Sequence, residues 1–135
     1  GNSIAFPGHL CAWSRIFLGW AEPIEIASDG TCEAKAVEEE PEIYIIRQGY
    51  AAQEYLLIEN RQPIPGDFDE RFWSPGGITI YHIDENIFDV NGISAGKSPR
   101  GFPCQSGWHG NGKHYPVDLV QRGGPYELEQ TRYVG

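Results

Sequence analysis

The sequence predicts a mainly β (α+β) fold: an antiparallel sheet or sandwich of five to seven strands, with one N-terminal helix and a long irregular loop. Three observations carry that reading. Short β-branched and apolar runs separated by turn residues recur from residue 23 to residue 83 and again near residue 115. One segment, 8–20, is the single convincing helix before the C-terminal end, with apolar residues at helical spacing. The stretch 84–114 holds six glycines and shows neither period, which makes it too long for an ordinary connection.

In the helical segment, Leu10, Trp13, Phe17 and Trp20 recur at steps of three and four, with Ile16 alongside. The expectation is an amphipathic helix that lays this aromatic stripe on the sheet. Gly19 and then Pro23 end it. His9 and Cys11, near its start, read as structural groups. Strands are expected at 23–27, 31–37 and 42–48, with Asp29-Gly30 and Gln48-Gly49 as turn signals. Glu38, Glu39 and Glu40 read as a solvated strand end, because carboxylates adjacent along a strand point to opposite faces and cannot converge on a metal.

The chain is organised around residues 53–85, a strand, an irregular loop and a second strand. Alternation puts Tyr55, Leu57, Glu59 and Arg61 on one face of the first strand, and Leu56, Ile58 and Asn60 on the other. In the second, Ile78, Ile80, His82 and Asp84 share a face opposite Thr79, Tyr81 and Ile83, which predicts that His82 and Asp84 lie at the edge of the core. The loop 62–75 is rich in Pro, Gly and Asp and has no helical period, so an antiparallel pair is expected. Glu59, Asn60, Arg61, His82 and Asp84 are the candidate polar groups where the apolar runs end. An antiparallel pair sets Glu59 and Arg61 at one end and His82 and Asp84 at the other. Asp84 is expected to accept hydrogen bonds that pin the start of the long loop, with His82 packed beneath it.

That loop opens with Asp84, Asn86, Asp89 and Asn91, a concentration of oxygen ligands in a non-helical segment. Calcium accepts such irregular oxygen sets, and Asp84, Asp89 and Asp118 from the returning strand are the candidate ligands. The competing readings are solvated loop polarity, and docking of Phe102 and Trp108 against another chain. Residues 115–121 resume as a strand, and Pro116 places it at a sheet edge or a strand start.

Composition narrows the function classes. The chain has 135 residues and reads as a single domain or a partial one, 1–135. Nineteen acids against ten Lys and Arg give a net charge of −9, which argues against nucleic acid and against an anionic membrane surface. No apolar run approaches the ~20 residues that span a bilayer. Three cysteines, Cys11, Cys32 and Cys104, form an odd set without zinc spacing. One disulfide and a third Cys paired elsewhere would suit an extracellular protein, which is the reading we prefer; three buried thiols would suit a cytosolic one. Because the chain starts at Gly1 and contains no Met, we expect it to be processed or excised from something longer. No nucleophile motif, phosphate loop or HExxH pair is present, and His109 and His114 read as a chance pair in a Gly-rich stretch. On its own chemistry the chain has no catalytic residues.

Four pieces in register nevertheless resemble a family. GHLCAWSRIFLGWAEPIEI, EYLLIENRQ, PGGITIYHIDE and NGKHYPVDLVQ occur in that order across nearly the whole chain. Together they resemble the later half of the catalytic region of immune inhibitor A-like secreted zinc metallopeptidases. The family places its HExxH helix and third zinc ligand upstream of the Leu-Gly-Trp helix, so no position here corresponds to the zinc ligands or the catalytic Glu. Two further departures are Tyr81, where the family has Trp, and Gln121-Arg122-Gly123, where it has Ala-Asp-Gly.

The resemblance implies the downstream structural portion of a secreted metalloendopeptidase-like protein. Such a portion supports the cleft, while zinc would be held only by an upstream segment not present here. The alternative is a non-catalytic extracellular binding or assembly module derived from such peptidases. In either case the expected partner is the rest of the parent polypeptide or a neighbouring chain.

Overall fold

Five strands in the order β1-β2-β3-β4-β5 form one sheet in the computed structural model, which describes residues 8–70, 75–87 and 116–120. The strands are β1 (Ile24–Glu25), β2 (Tyr44–Ile46), β3 (Glu54–Arg61), β4 (Gly77–Asp84) and β5 (Val117–Leu119). β1 runs parallel to β2, and the other three pairings are antiparallel, so the sheet is mixed. One short helix, α1 (Ala12–Phe17), precedes it, and a single 3-10 turn, Glu85–Ile87, follows β4. The mainly β fold with one N-terminal helix is the one that the strand spacing predicts. Among the described residues β5 lies at the sheet edge, and Pro116 stands just before its start.

β3 and β4 are the long central pair, and their register runs from Glu54 opposite Asp84 to Arg61 opposite Gly77. Alternation in β3 is strict: Tyr55, Leu57, Glu59 and Arg61 are buried, and the residues between them are half-buried. The partners that share this face on β4 are Thr79, Tyr81 and Ile83, all buried. The face of Ile78, Ile80 and His82 is therefore not the helix-covered one. Ile78 is 58% exposed and His82 half-buried, although Asp84 at the strand end is buried.

The register makes this second face apolar as well. Ile24, Tyr44, Ile58 and Ile80 form one cross-strand row over β1 to β4. Residues 31–37, expected as a strand, instead form a loop tied to this side by one parallel bridge from Ala36 to Asn60. Its carbonyls are its anchors: Glu33 O accepts from Tyr44 Oη at 3.0 Å, and Ala34 O from Asn60 Nδ2 at 2.9 Å. Bonded through side chains rather than a backbone ladder, the segment does not extend the sheet.

The helix departs most from its expected form. It is shorter than 8–20, and only Trp13 and Ile16 of the expected stripe pack against the core: Phe17 is 73% and Trp20 65% exposed, and Leu10 is exposed as well. The inward residues are Ala12 and Arg15, with Cys11, Trp13 and Ile16 partly buried against the core of Ile43, Ile45, Leu57 and Ile83. Charge sets this rotation, since Arg15 must reach Glu59 on β3. Ala12 lets the helix approach closely. Trp13 stacks on Phe17 with ring centroids 5.0 Å apart, so the aromatics pack on one another along the helix rim.

Gly19 ends the helix with φ at 73°. The amides of Gly19 and Trp20 return to the carbonyls of Ile16 and Arg15, which closes the last turn in the way a left-handed glycine permits.

Gly76 and Gly77 supply a test of packing at the start of β4. A Cβ on Gly76 would lie 2.7 Å from the Arg61 carbonyl oxygen and 2.5 Å from Gln62 Oε1, whereas one on Gly77 meets nothing within 4 Å. Gly76→Ala should therefore lower stability by about 1–3 kcal/mol. Gly77→Ala should change it by no more than about 0.5 kcal/mol. Urea denaturation of both variants checks the pair.

Candidate functional site

Two polar groups of very different character occupy the opposite ends of the β3–β4 pair. At one end lies a charge cluster on the covered face. Glu59 is fully buried and accepts three bonds. Oε2 takes the Arg15 guanidinium; Oε1 takes Arg61 Nε at 2.7 Å and Tyr81 Oη at 2.9 Å. Arg61 continues the network, donating Nη1 to Asp69 Oδ2 at 2.5 Å and Nη2 to the Leu10 carbonyl at 2.6 Å. Asp69, also fully buried, accepts the His9 amide at 2.8 Å. One network thus binds the helix, β3, β4, the loop after β3 and the segment before α1.

Two guanidinium charges face two carboxylates, so the buried cluster is balanced. Burial opposes the charge on Arg61, but the Glu59 carboxylate beside it prevails and holds its pKa above the ordinary value. Tyr81 is pushed upward by burial first and then by the charge of Glu59, so its phenol stays protonated and donates. At the margin, His9 Nε2 and Asp67 Oδ1 lie 2.7 Å apart, and that bond lowers the Asp67 carboxyl below its usual range. Glu38 turns inward rather than forming part of a solvated end. Its Oε2 accepts the Gln62 amide at 3.1 Å, while Oε1 is buried with no donor in reach among the described residues. Burial raises its pKa against the opposing pull of the Gln62 amide, and the neighbouring Asp69 carboxyl raises it further. Glu39 and Glu40 are exposed, as expected.

The far end is more open. His82 Nε2 meets Glu54 Oε1 at 2.9 Å, and the His82 ring tilts against Tyr50 at 5.9 Å. Asp118 on β5 is the cross-strand neighbour of His82. Asp84 Oδ1 accepts the backbone amide of Asn86 at 3.0 Å and its side-chain amide at 2.9 Å, which ties down the 3-10 turn. Beside this, an open cleft of about 520 Å³ is lined by Ile16, Arg47, Tyr50, Gln53, Tyr55 and Glu85, among others. Several of its polar groups are already engaged. Glu85 Oε1 accepts from Tyr55 Oη at 2.7 Å and from Trp13 Nε1 at 3.1 Å, and Arg47 lies over the Tyr55 ring. Among the described residues the lining contains no Ser, Cys or His, and these bonds brace the helix against the strand.

The sequence candidates divide accordingly. Glu59 and Arg61 come together in the buried cluster. Asn60 faces the other side, where its Oδ1 accepts from Gln62 Nε2 at 2.6 Å. His82 and Asp84 lie at the opposite end, as an antiparallel pair demands. Of the calcium candidates, Asp84 and Asp118 are placed, and Asp89 lies outside the described residues, as do Cys104, Phe102 and Trp108. Among the described residues no three His, Cys, Asp or Glu side chains are arranged to hold a metal. Among the described residues Cys11 and Cys32 form no disulfide, with each other or otherwise. Sequence reasoning missed Arg15, Asp69 and Tyr81. The signal available was Glu59 and Arg61 themselves: two charges on an otherwise apolar strand face require counter-charges from elsewhere. No protein-family model, no curated protein and no solved structure matches this chain.

Removing the charge at the centre should be costly. Glu59→Gln leaves two buried guanidinium groups short of a counter-charge and should destabilise the fold by about 3–5 kcal/mol, read from denaturant midpoints. Glu38 should behave in the opposite sense. A carboxyl whose folded pKa is raised stabilises the fold fully below its unfolded pKa and loses that contribution as pH rises through the folded value. Glu38→Gln should therefore raise Tm at pH 7, with the gain vanishing below about pH 4. A gain that is independent of pH would reject the burial of Glu38 as its cause.

Proposed function

We propose that this chain is the downstream structural portion of a secreted zinc metalloendopeptidase-like protein, supporting the cleft of a catalytic half that it does not itself contain. One observation carries the reading: the sheet is apolar on both faces, and helix α1 covers only one. The row of Ile24, Tyr44, Ile58 and Ile80, with Ile78 beside it, is only partly covered by residues 31–37. A sheet with two apolar faces is the middle layer of a larger core. The outward Phe17 and Trp20 add a second uncovered surface. The rest of the parent polypeptide is the partner that suits both. In this reading the chain supplies packing and no catalytic group, and zinc belongs to the upstream segment.

The second reading, a self-standing extracellular module derived from such peptidases, is favoured by a different observation. The buried charges of Arg15, Glu59, Arg61 and Asp69 balance within this chain. Calcium is the ion we propose for the segment that opens at Asp84, with Asp89 and Asp118 as the further ligands.

The isolated chain distinguishes these readings. As a structural portion it should bind a hydrophobic dye strongly through the isoleucine face and hydrolyse no peptide. As a module it should unfold cooperatively with little dye bound. One tightly held zinc per chain with chelator-sensitive proteolysis would overturn both. Millimolar calcium should slow proteolytic cleavage between Gly92 and Gly112, and cleavage unaffected by calcium would remove that ion from the account.

A further inference from the structure

Among the described residues β1 is a sheet edge with no strand beside it, and its chemistry specifies what can pair with it. The amides of Ile24 and Ile26 donate inward to the carbonyls of Ile43 and Ile45 at 2.8 and 2.9 Å. In a parallel ladder the residue between them turns its own N–H and C=O the other way, so those of Glu25 point away from the sheet. No strand pairs on that side among the described residues.

Side-chain direction adds specificity. The register sets Ile24 in the row of Tyr44, Ile58 and Ile80 on the half-open face, and Glu25 in the row of Ile45, Leu57 and Tyr81 on the helix side. Both Ile24 and Glu25 are exposed. Acidic groups predominate along this part of the chain, and the nearest exposed Lys, Lys35, is already paired with Glu40 and Glu42. Between residues 8 and 34, Glu22, Glu25, Asp29 and Glu33 are all exposed, and the one Lys or Arg, Arg15, is buried against Glu59.

We propose that the β1 edge binds an extended polypeptide segment in which Lys or Arg alternates with β-branched apolar residues. An added strand continues both rows. Its apolar side chains extend the isoleucine row past Ile24, and its cations lie beside Glu25 on the opposite face. Charge complementarity selects this occupant over a second copy of the chain, because a β1-to-β1 contact sets Glu22 and Glu25 against like charges. The inference is independent of the peptidase reading, since it uses only the edge and its charges.

The probe is a labelled ten-residue peptide of alternating Val and Lys, compared with a blocked Val-then-Lys peptide and an alternating Val and Glu peptide. Fluorescence anisotropy should show the alternating Val and Lys peptide binding at least ten-fold more tightly than either control. Amide exchange in the complex should show new protection of the Glu25 N–H. Glu25→Pro removes only the outward donor, since that N–H takes no part in pairing with β2, and proline is tolerated at such an edge position. This variant should lose binding, whereas Glu25→Gln, which keeps the N–H, should retain a weakened interaction.

Equal binding of blocked and alternating peptides, or full binding by a folded Glu25→Pro variant, would overturn the proposal as mere charge attraction. If Glu25→Pro fails to fold, the Glu25 amide in the wild-type complex decides: absence of protection there rejects strand addition. A dimer in solution with the Glu25 amide already protected would reject it in favour of a second copy. Protection in the monomer would reject it in favour of the chain's own remaining residues.

Discussion

Glu59 is the group on which the rest of this structure depends. Its carboxylate is wholly removed from water and is satisfied only because Arg15, Arg61 and Tyr81 reach it from α1, β3 and β4. An unpaired carboxylate in that position would cost several kcal/mol, so the elements that supply its donors cannot move independently. Arg61 passes the constraint on. Because it also holds Asp69 and the Leu10 carbonyl, the loop after β3 and the entry to the helix are located by the same charges.

The outward aromatic stripe follows from that constraint. A six-residue helix has one face to bury, and here that face is chosen by the guanidinium of Arg15 together with the small side chain of Ala12. Burying Phe17 and Trp20 instead would rotate Arg15 away from Glu59. The hydrophobic gain from the two rings, on the order of 1.5–3 kcal/mol each, is comparable with the cost of stranding the buried charges, and the fold keeps the Arg15–Glu59 pair. Aromatics left outside in this way, and a sheet with isoleucines on its second face, are surfaces suited to further polypeptide. They underlie the reading of this chain as a supporting layer.

The two ends of the β3–β4 pair show how one strand pair can carry two unrelated polar devices. The Glu59 end is buried and charge-balanced, with each oxygen of Glu59 and Asp69 committed to an internal donor, while Arg15 Nε and Glu38 Oε1 have no partner among the described residues. The His82 end is half-buried and built from shorter-range pairs: Glu54 with His82, and Asp84 with Asn86. The two also lie on opposite faces of the pair, with the rows of Glu59 and His82 three residues apart along the ladder.

How much of this was legible in the residues follows from the range of the forces involved. The sequence by itself determined the strands 54–60 and 77–83, their antiparallel pairing, the stop at Gly19 and a strand resuming at Pro116. Each rests on a local property: alternation at period two, a loop without helical period, a glycine able to adopt positive φ, a proline without an amide. It also placed Glu59 and Arg61 on one strand face, as the polar groups where the apolar run ends. Tertiary structure alone decided which face of α1 and of β4 meets the core, that residues 31–37 bond through side chains instead of joining the sheet, and that Glu38 turns inward. The aromatic spacing of the helix pointed to the wrong face because periodicity records only which residues are apolar. Which face is buried was settled by Arg15 meeting a carboxylate 44 residues away in sequence, an electrostatic pairing with no local signature in the chain.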